Sequence, residues 1–346
     1  MENNERVFKY DFMRIVFMLM VLGIHVLSMI RQFMFPYNTT WYIVTIITDI
    51  LMIANPLFFM LSGKFNLNKQ FTKKEDYKNF YIKRFISIII PFLLISFMVY
   101  FTWNYKAFSL LEYIKNLVSG EIEGTYWFVY ALIGILVLSP FFSKMLVNME
   151  LFEKKIFLSV LFIINAFISI LAIFNIQNAF TFTVVGLAGW HFYYFAGYMI
   201  EDIFKSKKSR NILIILGIIA LVLQFLIRRF IDFGYRLTDP SPLLTLQAFG
   251  LYFLLLDKVK IKKEEVQKII SNIAKYSFSF YLIHMLVVKK ISWLFILDIS
   301  SIHNFVCGIF IFIISFVITL IISMFIEKIA IKPIKKMLEK KLLKTD

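Results

Sequence analysis

Apolar and polar positions in this chain do not alternate residue by residue. The apolar residues run in long blocks, separated by short clusters of charge. Blocks fall at 12–30, 41–61, 85–103, 127–147, 156–174, 179–200, 212–230, 242–256, 277–297 and 305–326. As a helix, a segment of about 20 residues crosses roughly 30 Å of hydrocarbon. Backbone N–H and C=O groups in lipid must be satisfied internally, so the blocks predict helices rather than open strands. The expected fold is an all-α polytopic membrane protein with about ten transmembrane helices, built as a single integral membrane domain over 1–346. Two places are irregular. The block at 242–256 is short and follows the proline-rich TDPSPL, and only NIQNA separates 156–174 from 179–200, which suggests a tight hairpin or one re-entrant element.

Composition agrees. The chain is 60% hydrophobic and 17% charged, where soluble domains run at about 45–50% and about 25%. The net charge of +16 could suggest nucleic acid in a soluble protein, but here its distribution explains it better. With the N-terminus inside, 29 of the 38 lysines and arginines fall in 1–11, 62–84, 144–155, 201–211, 257–276 and 327–346. Eight lie in the outer loops or the adjoining outer parts of the blocks, and Arg14 lies within the first span. Positive charge marks the cytoplasmic side, so both termini are expected there. The segment 327–346 reads as a basic amphipathic cytoplasmic tail against anionic lipid. The polar start, MENNERVFKYD, leads into an apolar run with no small-residue cleavage site, so the first span is expected to be retained. Cys307 is the single cysteine, which excludes an intrachain disulfide framework.

Against this background, ionisable residues inside the blocks stand out. In KYDFMRIVFMLMVLGIHVLSM (9–29), Arg14 and His25 are eleven residues apart. That is close to three turns, so both project from one face, separated by about 16 Å along the axis. Asp11 precedes Arg14 by one turn and is placed to orient its guanidinium. Taken singly, Arg14 could snorkel to headgroups and His25 could donate an interhelical hydrogen bond. Together they suggest a polar cavity.

Other stretches add candidates with plainer alternatives. In ANPLFFMLSGKF (54–65), Asn55-Pro56 interrupts a helix, while Ser62-Gly63 permits close backbone approach or simply caps the helix. In YIKRFISIIIPF (81–92), Lys83 and Arg84 enter a span that bends at Pro91, and positive-inside flanking alone accounts for both cations. Tyr126 and Trp127 sit at an interface as an aromatic belt would. His284 lies in mid-span in AKYSFSFYLIHMLV, with Ser277, Ser279 and Tyr281 nearby. His191 is a weaker candidate, and His303 reads as a solvated loop residue. There is no H-E-x-x-H, Walker loop, G-x-S-x-G or Cys/His metal spacing, so neither a metal nor nucleoside-triphosphate chemistry is expected.

These stretches, in this order, resemble the acyltransferase family 3 of integral membrane O-acyltransferases. The Arg14-x10-His25 spacing matches the family's first-helix signature. FFMLSGKF resembles the second-helix Ser-Gly motif, YIKRFISIIIPF the basic-then-proline third helix, and YWFVYALIGILVLSPFF and YSFSFYLIH the fourth-helix and late motifs. Lys64, between Ser-Gly and Phe65, departs from the motif. The resemblance implies transfer of an acyl group, often acetyl, from cytoplasmic acyl-CoA to a hydroxyl of an extracytoplasmic glycan, in the cell membrane of a bacterium and without nucleic acid. It assigns His25 as base or covalent carrier and Arg14, Lys83, Arg84, Ser62 and Gly63 to the donor. Asp11, Trp127, Tyr281 and His284 would shape the cavity. A transporter or flippase for a polar or anionic substrate is the rival reading, since broken helices and intramembrane polar groups suit it as well.

The orientation is directly testable. Cysteines at Lys74→Cys and Lys340→Cys are expected to resist a membrane-impermeant maleimide on intact cells, while Lys115→Cys reacts. The opposite pattern overturns the topology.

Overall fold

In the computed structural model, residues 2–173, 189–230, 241–261, 263–295 and 301–343 are described, and among them every regular element is helical. The helices are α1 (Glu2–Arg31), α2 (Thr39–Leu51), α3 (Ala54–Asn66), α4 (Lys74–Arg84), α5 (Ile90–Asn104), α6 (Leu110–Ser119), α7 (Trp127–Val147) and α8 (Leu151–Ile173). They continue with α9 (Trp190–Ile203), α10 (Lys207–Phe230), α11 (Pro242–Lys258), α12 (Glu264–Ala274), α13 (Ser277–Phe295), α14 (Ser301–Ile326) and α15 (Lys332–Leu342). Among the described residues, eight helical stretches are long and apolar enough to cross a membrane. The protein is thus a multi-pass membrane protein.

The eight stretches account for eight of the expected ten blocks. The other two are shorter: α9 has 14 residues and α11 has 17. The NIQNA link and the first part of the block at 179–200 lie outside the described residues, as do 238–240 of TDPSPL. At the proline-rich start of 242–256, Ser241 is extended and Pro242 is already helical. Pro242 occupies the first helical position, where its missing N–H is no loss, and Ser241 caps the helix by accepting from the Leu244 N–H at 3.1 Å. The expected loops at 74–84, 110–119 and 264–274 also contain helices.

Prolines set the irregular turns. The block at 41–61 is interrupted between Leu51 and Ala54, just ahead of Pro56. Before Pro91 the helix widens into a π turn, Phe85–Ile89, in which the Ile90 N–H reaches back five residues to the Phe85 carbonyl. The same happens before Pro333, at Glu327–Ile331. A proline gives no N–H to the carbonyl four residues earlier, and its ring crowds that carbonyl; a widened turn relieves both problems.

The chain forms two compact units. One comprises residues 1–13, 53–71 and 135–263, and the other 14–52, 72–134 and 264–346. In the first unit, α3 and α9 meet with no room for side chains. A Cβ on Gly63 would lie 1.8 Å from the Tyr194 carbonyl oxygen, and one on Gly197 1.8 Å from that of Met60. Small residues let two membrane helices bring their backbones together where the hydrophobic effect offers little drive. Ser139 and Tyr194 hydroxyls pair at 2.6 Å, and Ser143 donates to the Leu67 and Lys69 carbonyls at 2.9 and 2.6 Å. In the second unit, α13 packs on α14 and α5. There Asn304 donates to the Phe33 carbonyl at 2.9 Å, and Ser279 donates to buried Glu327 at 2.7 Å.

Gly63→Ala is expected to lower the thermal unfolding temperature in detergent, corresponding to about 1–3 kcal/mol of overpacking. Gly134→Ala, where an added Cβ meets nothing within 4 Å, serves as the neutral control. Equal melting of the two would contradict the close contact.

Candidate active site

The imidazoles come first, and both belong to the second unit. Helix α1 runs unbroken through Arg14 and His25, so the two residues stay about 20° apart in projection, on one face. On α13, His284 is fully buried, and its ring centroid lies 5.1 Å from that of His25 at a tilt of 44°. Phe280, one turn earlier, lies parallel to the His284 ring, and Tyr281 flanks it at 5.4 Å. His284 Nδ1 contacts the Tyr281 carbonyl oxygen. A carbonyl can only accept, so this nitrogen carries the proton and the neutral ring's lone pair lies on Nε2. Among the described residues, buried Nε2 has no hydrogen-bond partner. A basic nitrogen held in place and left unfilled is what a proton-accepting site requires.

A short turn on the same unit braces this pair. Residues Gly124–Tyr126 form a 3-10 turn leading into α7. The Tyr281 hydroxyl donates to the Thr125 carbonyl, and the Tyr126 hydroxyl donates to the Leu282 carbonyl at 2.8 Å. Reciprocal bonds of this kind fix α13 against the turn within the helical turn that precedes the histidine. Immediately before the turn, Glu123 is 5% exposed and accepts from Lys289 Nζ at 2.7 Å. Burying a carboxylate is costly unless a partner is supplied, and here the partner comes from the far part of α13. Trp127 follows the turn; it is partly exposed and meets Phe128 edge-on.

The expected donor residues are distributed between the units. Arg14, Lys83 and Arg84 belong to the second. Arg14 is half-buried on α1, Lys83 is exposed, and the Arg84 guanidinium lies 5.3 Å over the Phe80 ring. Both cations of the pair directly precede the π turn at Phe85–Ile89. Asp11, Ser62 and Gly63 belong to the first unit. The Ser62 carbonyl accepts from Asn66 at 2.7 Å, and Gly63 faces the Tyr194 backbone.

Lys64, the residue that departs from the Ser-Gly motif, has a definite partner in that unit. It approaches Glu201 Oε1 at 3.0 Å. The same oxygen accepts from the Tyr10 hydroxyl at 2.6 Å and from the Tyr252 hydroxyl at 2.7 Å. One buried carboxylate thus joins α1, α3, α9 and α11.

Sequence reasoning missed Glu123, Lys289 and Glu201: the two glutamates flank apolar blocks and read there as solvated, and Lys289 lies in the outer half of its block. Their signal would have been the pairing of opposite charges across distant blocks, which a linear pattern does not display. His303 also differs from expectation: it lies on the first turn of α14, half-buried, with Nε2 3.4 Å from Cys307 Sγ. His191 stands edge-on to Phe142, with ring centroids 6.4 Å apart, in the first unit.

A double-mutant cycle tests the buried ion pair. Glu123→Gln and Lys289→Gln are each expected to cost about 1–3 kcal/mol, and the double variant clearly less than their sum. Strict additivity would show that the two charges do not depend on each other.

Comparison with known proteins agrees with these elements. Two Staphylococcus epidermidis sequences, each named a probable poly-beta-1,6-N-acetyl-D-glucosamine export protein, are 25% identical to this chain over 258 residues, covering 71% of it and 70% of their own length. No solved structure matches. Residues 7–327 match the acyltransferase domain of family 3, a span that includes the first-helix arginine and histidine, the Ser-Gly helix, the basic π turn and the late histidine. The chain belongs to the acyltransferase family 3 of membrane proteins.

Proposed function

We propose that the protein is an O-acyltransferase of the bacterial cell membrane that moves an acyl group, acetyl in the first instance, from cytoplasmic acyl-CoA to a hydroxyl of a cell-surface polysaccharide or cell-wall glycan. The observation that carries this reading is the pairing of half-buried His25 with fully buried His284, with ring centroids 5.1 Å apart and, among the described residues, no hydrogen-bond partner for His284 Nε2. Family membership supports the reaction type, and the polysaccharide in the relatives' names supports a glycan acceptor.

The chemistry needs one proton acceptor. The acceptor hydroxyl oxygen attacks the thioester carbonyl carbon while its proton passes to His25. As the tetrahedral centre collapses, the C–S bond breaks, the new C–O ester bond remains, and the CoA thiolate takes the proton from His25. In the two-step variant the His25 nitrogen itself attacks the carbonyl carbon, the C–S bond breaks and CoA leaves as thiolate; the hydroxyl oxygen then takes the acyl group as the C–N bond to the ring breaks, and its proton goes to the thiolate. Arg14, Lys83 and Arg84 bind the donor's phosphates, for which guanidinium forks and ammonium points are the fitting groups. His284 stands beside His25 as a second basic nitrogen, and Trp127 and Tyr281 bound the acceptor's side of the cavity.

The word export in the relatives' names favours a second reading, a transporter or flippase that moves a polar or anionic glycan without acyl transfer. The two readings part on thioester consumption. Purified protein with radiolabelled acetyl-CoA and a surface-glycan extract is expected to yield labelled ester. His25→Ala at normal abundance should cut the yield by about 10²–10⁴-fold, the usual worth of a positioned base. Glycan movement across vesicles with no thioester consumed would sink the acyl-transfer reading, and labelling unchanged in His25→Ala would end the role of His25.

A further inference from the structure

The first unit holds a second concentration of charge, distant in sequence from the Ser-Gly helix motif and from both histidines. A cavity of about 540 Å³ is lined by Lys9, Lys205, Lys207, Arg210, Lys258 and Lys260. They come from the head of α1, the α9–α10 turn and the segment around the end of α11. The carboxylate on its wall, Asp257, is already engaged, because it accepts from the Arg210 guanidinium at 2.8 Å. Arg210 is fixed on two further sides: its Nε donates to the Phe204 carbonyl at 2.8 Å, and its guanidinium carbon lies 5.1 Å over the Phe253 ring.

Positive-inside placement accounts for cations at this level of the chain. It does not account for their convergence on one concave wall, nor for an arginine whose fork is held rigid there. Neighbouring lysines of the same unit are neutralised: Lys64 by Glu201 and Lys154 by Asp202, at 3.0 and 3.2 Å. Among the described residues, no carboxylate stands within ion-pair distance of Lys9, Lys205, Lys207, Lys258 or Lys260. Five unneutralised ammonium groups around one cavity repel each other, and a bound polyanion relieves that repulsion. The volume falls in the range of small-molecule sites, about 300–1,000 Å³, which exceeds what a lone phosphate fills.

We propose that this cavity is a binding site for an anion carrying two or more phosphate groups, with Arg210 as the fixed fork and the lysines as mobile point charges. Two sources supply this chemistry: a soluble nucleotide such as adenosine 3′,5′-bisphosphate, separate from the donor held by Arg14, Lys83 and Arg84, and the two-phosphate headgroup of cardiolipin. Neither source rests on the acyl-transfer reading.

The test uses the full chain purified into phosphatidylcholine nanodiscs and titrated with adenosine 3′,5′-bisphosphate by calorimetry. The cavity variant is Lys205→Gln/Lys207→Gln/Lys258→Gln. A variant of equal charge loss at exposed positions outside the cavity, Lys144→Gln/Lys155→Gln/Lys268→Gln, is the control. The cavity variant is expected to weaken binding by about tenfold or more, and the control by about twofold or less, since three charge-assisted contacts are lost in one and only long-range charge in the other. In the lipid arm, nanodiscs containing cardiolipin are analysed by native mass spectrometry. Retained cardiolipin that is lost in the cavity variant but kept in the control assigns the site to lipid headgroups. If neither bisphosphate affinity nor lipid retention distinguishes the two variants, the proposal is wrong. Neither readout involves an acyl group, so its failure leaves the acyl-transfer reading untouched, and failure of the His25 test leaves the phosphate site standing.

Discussion

Hydrocarbon offers no hydrogen-bond partner, and that constraint organises the rest of the molecule. Every backbone N–H and C=O in a span must be satisfied within the chain, which is why the described residues build helix after helix. It also explains how the chain tolerates proline. Pro91 and Pro333 each remove a donor, and the turn ahead of each widens so that a neighbouring N–H can still reach a carbonyl. The first of these widened turns follows Lys83 and Arg84, so a backbone repair also sets how two cations are presented.

The same constraint governs side chains. Among the described residues, three carboxylates are buried at the ends of apolar blocks, and each is supplied with donors. Glu201 takes two tyrosine hydroxyls and a lysine, Glu123 takes Lys289, and Glu327 takes Ser279 with Lys335 at 3.8 Å. A charge so paired is weak support for stability, because replacing the pair by apolar residues is often neutral. It does tie helices from distant parts of the sequence to one point. Glu201 does this for four helices of the first unit. In the second unit, the reciprocal bonds of Tyr126 and Tyr281 lock α13 beside the turn that carries Glu123. His284 differs from these carboxylates: its Nδ1 is engaged and its Nε2 is left open.

Much of the first helix could be read directly. Arg14 and His25 share a face because α1 is continuous, and continuity follows from an uninterrupted apolar run without proline or glycine clusters near either residue. The break near Pro56 and the irregular turn before Pro91 follow from proline's covalent structure. The nearness of His284 to His25 could not be read, since 259 positions separate them and no periodicity links α1 to α13. The use of Gly63 was also hidden. Ser-Gly at a helix end suggests a cap or close approach, but only the packing shows that the approach is to Tyr194.

Local rules therefore decided the class of fold, the blocks, their breaks and the face shared by Arg14 and His25, because each depends on neighbours within a few turns. Tertiary structure decided which block ends became buried ion pairs, which glycines became contact points and which histidine joined the first. Those outcomes depend on helices meeting across long stretches of chain, where burial removes water as a partner and leaves each charge only what the neighbouring helix offers. Lys64 marks the boundary. In sequence it is an oddity in a motif, and in the folded unit it is one of the donors that make a buried Glu201 possible.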